Sequence, residues 1–215
     1  MHIDKIKIVL LASPRSGSSY LRSKIDGSTP IYGELLLKKS KDPISHVLQN
    51  VNPKQGWKSL LDSNRAPSIT PGEKSLSVAI NSDIVGLKIM GADFLLKNRN
   101  IAFRLFQEAN IVVFIKPISF RRQVISLLNI RMGGVAHHYL NDTTKRKYLS
   151  ESKRKLQLLQ YAYCFINILV NRIICRILQH IAKIMRKNVI IADQRCFSEA
   201  QSEIALLINS ITKKI

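Results

Sequence analysis

The sequence predicts one three-layer α/β domain, a central parallel sheet with helices on both faces, and three observations carry that prediction. Short aliphatic runs recur without polar alternation, as strands buried on both faces of a parallel sheet require. Stretches of helical spacing separate these runs, so strand and helix alternate along the chain. The 215 residues suffice for one well-buried α/β domain spanning 1–215 and are too few for two ordinary ones. A composition of 46% hydrophobic and 22% charged residues is that of a globular chain and excludes a disordered tail.

The elements follow in order. Ile6–Ala12 is a continuous aliphatic strand. It ends in the turn sequence Ser13-Pro-Arg-Ser-Gly-Ser-Ser, after which Tyr20–Asp26 reads as helix. From Ser40 to Ser82 the chain is rich in Pro, Asn, Ser and Gly, with short amphipathic pieces at Ile44–Val51 and Gly56–Ser63. This irregular part is where α/β enzymes often keep acceptor loops. Ile84–Ile89 is a second apolar strand, Ala92–Gln107 a helical stretch, and Ala109–Ile115 the clearest buried strand. Phe120–Arg131 has helical spacing. Ser150–Lys187 is helical throughout and long for one uncapped globular helix, which leaves a bend or break inside it open. Asn188–Ala192 is a β-branched strand, and Ser198–Thr212 closes the chain as an amphipathic helix with Ser198 as cap and Glu199 in its first turn. Ligands in such folds bind at the carboxyl ends of the strands.

Thirty-four Lys and Arg against fourteen Asp and Glu give a net charge of +20 and a pI near 10.2. Such a field concentrates anions, and phosphorylated nucleotides, nucleic acid, anionic lipid and sulfated or phosphorylated glycans all qualify. Nucleic-acid binding is disfavoured, because aromatic residues are 7% of the chain and scattered, and neither an RNP-like strand nor a Cys/His finger spacing is present. Cys164, Cys175 and Cys196 have no metal-ligand spacing. An odd count without a signal peptide points to a reducing, cytoplasmic location, with the thiols of the apolar helical run buried and no metal bound. The N-terminus lacks a cleavage site and reads as strand. Polar residues interrupt Tyr161–Met185, so a packed amphipathic helix is expected there in place of a membrane span, with contact on anionic lipid as the alternative.

Ser13-Pro-Arg-Ser-Gly-Ser-Ser-Tyr20, between the first strand and helix, is the strongest local signal. Backbone amides of a Gly-containing loop at a helix start form an anion site. The hydroxyls of Ser16, Ser18 and Ser19 add short donors, and Arg15 adds a permanent, planar positive charge. A nucleoside-triphosphate P-loop needs a Gly five residues before Gly17 and a Lys after it. Ala12 and Ser18 stand there, which disfavours kinase-type chemistry.

Pro14-Arg-Ser-Gly-Ser-Ser-Tyr-Leu21 after a hydrophobic strand resembles the 5′-phosphosulfate loop of sulfotransferases that use PAPS (3′-phosphoadenosine-5′-phosphosulfate). The bacterial carbohydrate branch, with trehalose and Nod-factor sulfotransferases, is the most similar. Pro30-Ile-Tyr-Gly-Glu-Leu-Leu36 is similar to that branch's acidic segment after the first helix, and Val85-Gly-Leu-Lys-Ile-Met90 resembles its second strand. Arg122-Gln-Val-Ile-Ser126 through Ile130-Arg-Met-Gly-Gly-Val-Ala-His137 resembles its L-R-Q-A-V-S…A-R-Q-T-G-x-W-H signature at the same spacing. Val189-Ile-Ile-Ala-Asp193 sits where the branch has a strand ending in Tyr-Glu-Asp-Leu. The matches run in order over about 190 residues.

The resemblance implies a P-loop NTPase-like sulfotransferase fold and metal-free transfer of a sulfuryl group from PAPS, leaving PAP, to a hydroxyl of a carbohydrate or glycolipid acceptor. It implies that Arg15, Ser16, Gly17, Ser18, Ser19 and Tyr20 hold the 5′-phosphosulfate and that Arg15 stabilises the leaving oxygen. Glu34 is the implied base, with His137 and His138 as rivals. Ser126 matches the family's 3′-phosphate Ser, whereas the family's 3′-phosphate Arg falls at Ile118 and its Asp/Asn at Ser119. Lys116 or Arg122 is then expected to supply that charge. Ala136 replaces the Trp before the His, and Ala192-Asp193 replaces Tyr-Glu. Competing readings are a catalytically degenerate PAPS-fold protein and a basic nucleic-acid-binding protein. An anionic acceptor, peripheral membrane contact and a homodimer are left open.

Overall fold

A computed structural model describes residues 6–18, 21, 31–34, 56–58, 84–95, 99–117, 119–131 and 153–213. They form an α/β fold whose five strands are all parallel. The strands are β1 (Ile6–Ala12), β2 (Ile31–Glu34), β3 (Ile84–Met90), β4 (Ile111–Lys116) and β5 (Asn188–Asp193). The longer helices are α1 (Arg99–Glu108), α2 (Phe120–Arg131), α3 (Lys153–Ile184) and α4 (Phe197–Thr212), and a 3₁₀ turn covers Gly91–Phe94. The spatial order β2-β3-β1-β4-β5 places β1 at the centre. The chain adds β3 on one side of β1 and β4 on the other, so the winding reverses at the carboxyl end of β1, where open α/β sheets bind ligands.

The aliphatic runs form these strands because both faces of each central strand are covered. Val9, Leu11, Leu87, Ile89, Val112 and Phe114 join one buried cluster, which Leu105 and Phe106 of α1, Leu178 and Ala182 of α3 and Trp57 complete. Ile8, Leu10, Ala12, Val113, Ile115 and Ile190 join another, completed by Leu21 and by Phe197, Ala200 and Ile204 of α4. A smaller cluster of Val124, Cys164 and Ile168 ties α2 to α3.

Polar contacts fix the ends of elements. Asn110 and Lys7 exchange bonds, Lys7 N–H to Asn110 Oδ1 and Asn110 N–H to Lys7 O, both at 2.8 Å. Lys187 Nζ donates to the Gln107 and Ala109 carbonyls at 2.6 and 2.8 Å, supplying the partners that the end of α1 leaves open. Trp57 Nε1 donates to Leu105 O at 2.8 Å.

Two expectations are corrected, one question left open is settled, and one strand was not anticipated. Ala92–Gln107 is a 3₁₀ turn followed by α1, because Asp93 Oδ2 accepts the Met90 N–H at 2.9 Å and closes a tight turn at the end of β3. Ser150–Lys187 contains one unbroken helix, held by its buried row Cys164, Ile168, Asn171, Leu178 and Ala182. The last helix starts at Phe197 on Cys196 with no side-chain cap, so Ser198 lies within its first turn beside Glu199. The edge strand β2 has no long aliphatic run to announce it. Tyr20–Asp26, apart from Leu21, and Ile44–Val51 lie outside the described residues.

Candidate functional site

The loop after β1 is built to be held, not to wander. Arg15 and Gly17 take φ of +60° and +82°. Glycine adopts that region freely, whereas a non-glycine residue there stores strain that usually accompanies a functional constraint. A Cβ on Gly17 would also lie 3.1 Å from Gln194 Nε2 and 3.2 Å from the Phe197 ring, so the turn after β5 closes on the loop. Ser16 N–H donates to Ser13 O at 3.3 Å, and Leu21 N–H to Gly17 O at 3.0 Å, the first helical bond after the loop.

Helix α2 grips the loop through two residues. Arg15 Nε donates to Ser126 Oγ at 2.8 Å. Gln123, buried, donates from Nε2 to Ser13 Oγ at 2.8 Å and to Pro14 O at 2.7 Å. Its Oε1 accepts from Arg172 Nε of α3 at 2.8 Å. All three contacts agree with one amide orientation, since a flipped amide would set its oxygen against the Pro14 carbonyl. Gln123 thus relays the position of α3 to the loop. Arg172 also lies over the Phe120 ring, 5.1 Å from its centroid.

Two buried polar atoms have no hydrogen-bond partner among the described residues, Ser16 Oγ in the loop and Arg172 Nη2. Leaving such donors unmade costs on the order of 1–3 kcal/mol each, and a native fold that keeps them usually serves a ligand or water. Beside them a cavity of about 420 Å³ is lined by Ser13, Lys116, Arg172, Cys175, Arg176 and Gln179, with apolar walls from β4 and β5. Among the described residues no carboxylate lines it. Arg172 and Arg176 are four residues apart on one helix, a repulsive pairing for like charges. Burial and then Arg176 hold the Arg172 guanidinium below its ordinary value. Burial pushes the Cys175 thiol up to about 12, so this wall is not a nucleophile.

At the carboxyl ends of β4 and β5, Lys116 is exposed with Nζ 3.5 Å from Asp193 Oδ2. Arg195 clamps the same carboxylate through Nε at 3.1 Å and Nη2 at 3.0 Å, and its N–H adds a bond at 3.0 Å. The Arg195 clamp holds the Asp193 carboxyl well below the usual carboxylate range.

Arg15, Ser16, Gly17, Ser18 and Ser126 are therefore gathered at one place, with Lys116 beside them on the rim of the cavity. Arg122 is exposed; its N–H donates to Ser119 Oγ at 3.4 Å, so Ser119 caps the start of α2. Glu34 ends β2 in register with Lys88, which is buried and itself in register with Leu10 of β1. Ser19, Tyr20, Ile118, Ala136, His137 and His138 lie outside the described residues. Sequence reasoning missed Gln123, Arg172 and Arg176. Gln123 stood inside the quoted Arg122-Gln-Val-Ile-Ser126 segment, whereas the two arginines look like ordinary charges of a solvated helix face.

The sequence matches no protein-family model and no curated protein.

Proposed function

We propose that the chain is a cytoplasmic sulfotransferase of three-layer, P-loop-like fold, moving a sulfuryl group from PAPS to a hydroxyl of a carbohydrate or glycolipid. The meeting of Arg15 and Ser126 carries this reading, because the resemblance assigns those residues to the two phosphate ends of one nucleotide. The residues present fit such a ligand. Ser16 Oγ and Arg172 Nη2 are buried donors awaiting an acceptor, and the described lining of the cavity joins apolar walls to cations without a carboxylate. Three free cysteines are consistent with a reducing compartment.

PAPS supplies an activated sulfuryl group on a phosphate leaving group. Positioning and electrostatics dominate transfers of this type. The loop of Ser13–Ser18 binds the 5′ end, and Arg15, held at Nε by Ser126, keeps its fork at the oxygen where negative charge develops. Glu34 takes the proton of the attacking hydroxyl. With Ile118 in the family's Arg position, the 3′-phosphate falls to Ser126, Lys116 and the cavity's Arg172 and Arg176. Arg122, exposed and pointing its N–H into a cap, is the weaker candidate of the two the sequence offered.

Calorimetric titration with PAP, with AMP as the control ligand, tests the reading. PAP binding that weakens strongly for AMP and is lost in Arg15→Ala supports it, and formation of PAP from added PAPS that depends on a sugar acceptor then establishes transfer. Equal affinity for PAP and AMP overturns it. Tight PAP binding without such turnover on any hydroxyl acceptor identifies a non-catalytic PAPS-fold protein instead.

A further inference from the structure

Helix α3 is apolar on two opposite sides, and among the described residues only one of them packs into the fold. Cys164, Ile168, Asn171, Leu178 and Ala182 form the buried row. Asn171 Oδ1 accepts the Ala92 N–H at 2.8 Å there, anchoring the helix beside β3. Half a helical turn away, Leu159, Ile166, Leu169, Ile173, Ile177 and Ile184 are between 40% and 80% exposed. Leu159, Ile166 and Ile173 repeat at seven residues, so the stripe stays on one side of the helix along its length. By length and composition Leu158–Ile184 is apolar enough to cross a membrane, with 17% of its apolar window buried. The buried row argues against spanning, since it packs Leu178 and Ala182 against the sheet and Cys164 and Ile168 against α2. A contiguous exposed apolar stripe on a folded domain marks an interaction surface.

Charge decides what covers it. The helix carries six Lys and Arg and no Asp or Glu, within a chain of net charge +20. Five of the six stand toward the ends of the stripe, Lys153, Arg154 and Lys155 before it and Arg176 and Lys183 toward its close, with Arg172 between them and Arg186 just past the helix. A second copy laid along the stripe would set cation against cation in either orientation. A surface of anionic headgroups above apolar chains matches both features at once. We propose that the exposed stripe of α3 docks this protein, with the helix lying in the plane, on the surface of a membrane containing anionic lipid. The inference stands independently of the sulfotransferase reading.

Sedimentation of the full chain with vesicles tests it, using phosphatidylcholine alone and phosphatidylcholine mixed with phosphatidylglycerol. Binding is expected to the mixed vesicles, to fall with added salt, and to drop at least about tenfold in Ile166→Glu/Ile173→Glu, because each Ile loses its transfer into the acyl boundary. Leu206→Glu, at an exposed apolar position on α4, is expected to bind as the wild type does, and circular dichroism checks that every variant is folded. Three results overturn the proposal. One is no binding to mixed vesicles, and another is salt-sensitive binding indifferent to the Ile substitutions, which is general attraction by a basic surface. The third is a dimer in analytical ultracentrifugation that Ile166→Glu/Ile173→Glu dissociates while vesicles are ignored, which assigns the stripe to a second copy.

Discussion

Arg15 and Ser126 stand 111 residues apart in the chain, and the Arg15 Nε donates to the Ser126 hydroxyl across 2.8 Å. That bond joins the loop after the central strand to the helix after its neighbour, at the point where the sheet's winding reverses. Arg15 does this from a φ of +60°, a backbone state that costs an ordinary side chain on the order of 1 kcal/mol. Arg15→Ala should therefore lower sulfuryl transfer about a hundredfold or more, read as PAP release under saturating acceptor. Arg15→Lys should recover little, since an ammonium cannot hold Ser126 and a second acceptor in the same fork. Arg15→Gly should lose the same activity while unfolding at higher urea than Arg15→Ala, because glycine relieves the strained φ.

Gln123 is the joint between α3 and the loop, with both amide hydrogens and its oxygen engaged. Gln123→Leu keeps much of the volume but strands the Arg172 Nε and the Ser13 and Pro14 acceptors. We expect a loss of about 3 kcal/mol in urea unfolding, together with weaker PAP binding, since the loop loses its inner support. Unchanged stability would show that the relay is dispensable.

The central strands were legible in the sequence because an unbroken aliphatic run has few alternatives once turns bound it. β1 and β4 are buried on both faces, as such runs demand. β2 was not legible: four residues, one of them Gly, carry no period, and pairing with β3 supplies what the local sequence lacks. The loop was legible from Pro14-Arg-Ser-Gly17, since few sequences put an Arg and a Gly between a buried strand and a helix. Its support was not. Gln123, Arg172 and Arg176 belong to two helices far apart in the chain, and only packing of α2 on α3 through Val124, Cys164 and Ile168 brings them to the loop. The helix α3 was expected to leave a break open because propensity judges length alone; its buried polar anchor, Asn171, is a tertiary fact.

Acid stability should report the Asp193 clamp. Its carboxyl is depressed in the folded protein chiefly by hydrogen bonds from Arg195, while the unfolded chain titrates near the ordinary value of about 3.9. A depressed folded value means the contribution is fully present above that ordinary value and is lost as pH falls toward the folded one. The wild type should exceed Asp193→Asn in stability by a constant margin from neutrality down to about pH 5, and the margin should shrink below about pH 4. Since the pair is open to solvent, salt should reduce the margin as well. Urea midpoints at stepped pH measure it, and a margin independent of pH would refute the assignment.

Gly91 sets how closely α3 approaches the end of β3. A Cβ there would lie 2.6 Å from the carbonyl oxygen of Asn171, and that oxygen belongs to helix backbone, which cannot rotate away as a side chain can. Gly91→Ala should cost about 1–3 kcal/mol, the usual range for an overpacked contact. Trimming the neighbour should not rescue it: Gly91→Ala/Asn171→Gly keeps the clashing carbonyl and also removes the acceptor of the Ala92 N–H. The displacement should reach the site, because Arg172 follows Asn171 on the same helix and must stay at 2.8 Å from Gln123 Oε1 to support the loop. PAP affinity is thus expected to fall in Gly91→Ala although Gly91 touches none of the loop's donors. An affinity equal to that of the wild type, alongside the loss of stability, would mean that α3 holds its place by the other contacts of its buried row and that Gly91 is a packing residue alone.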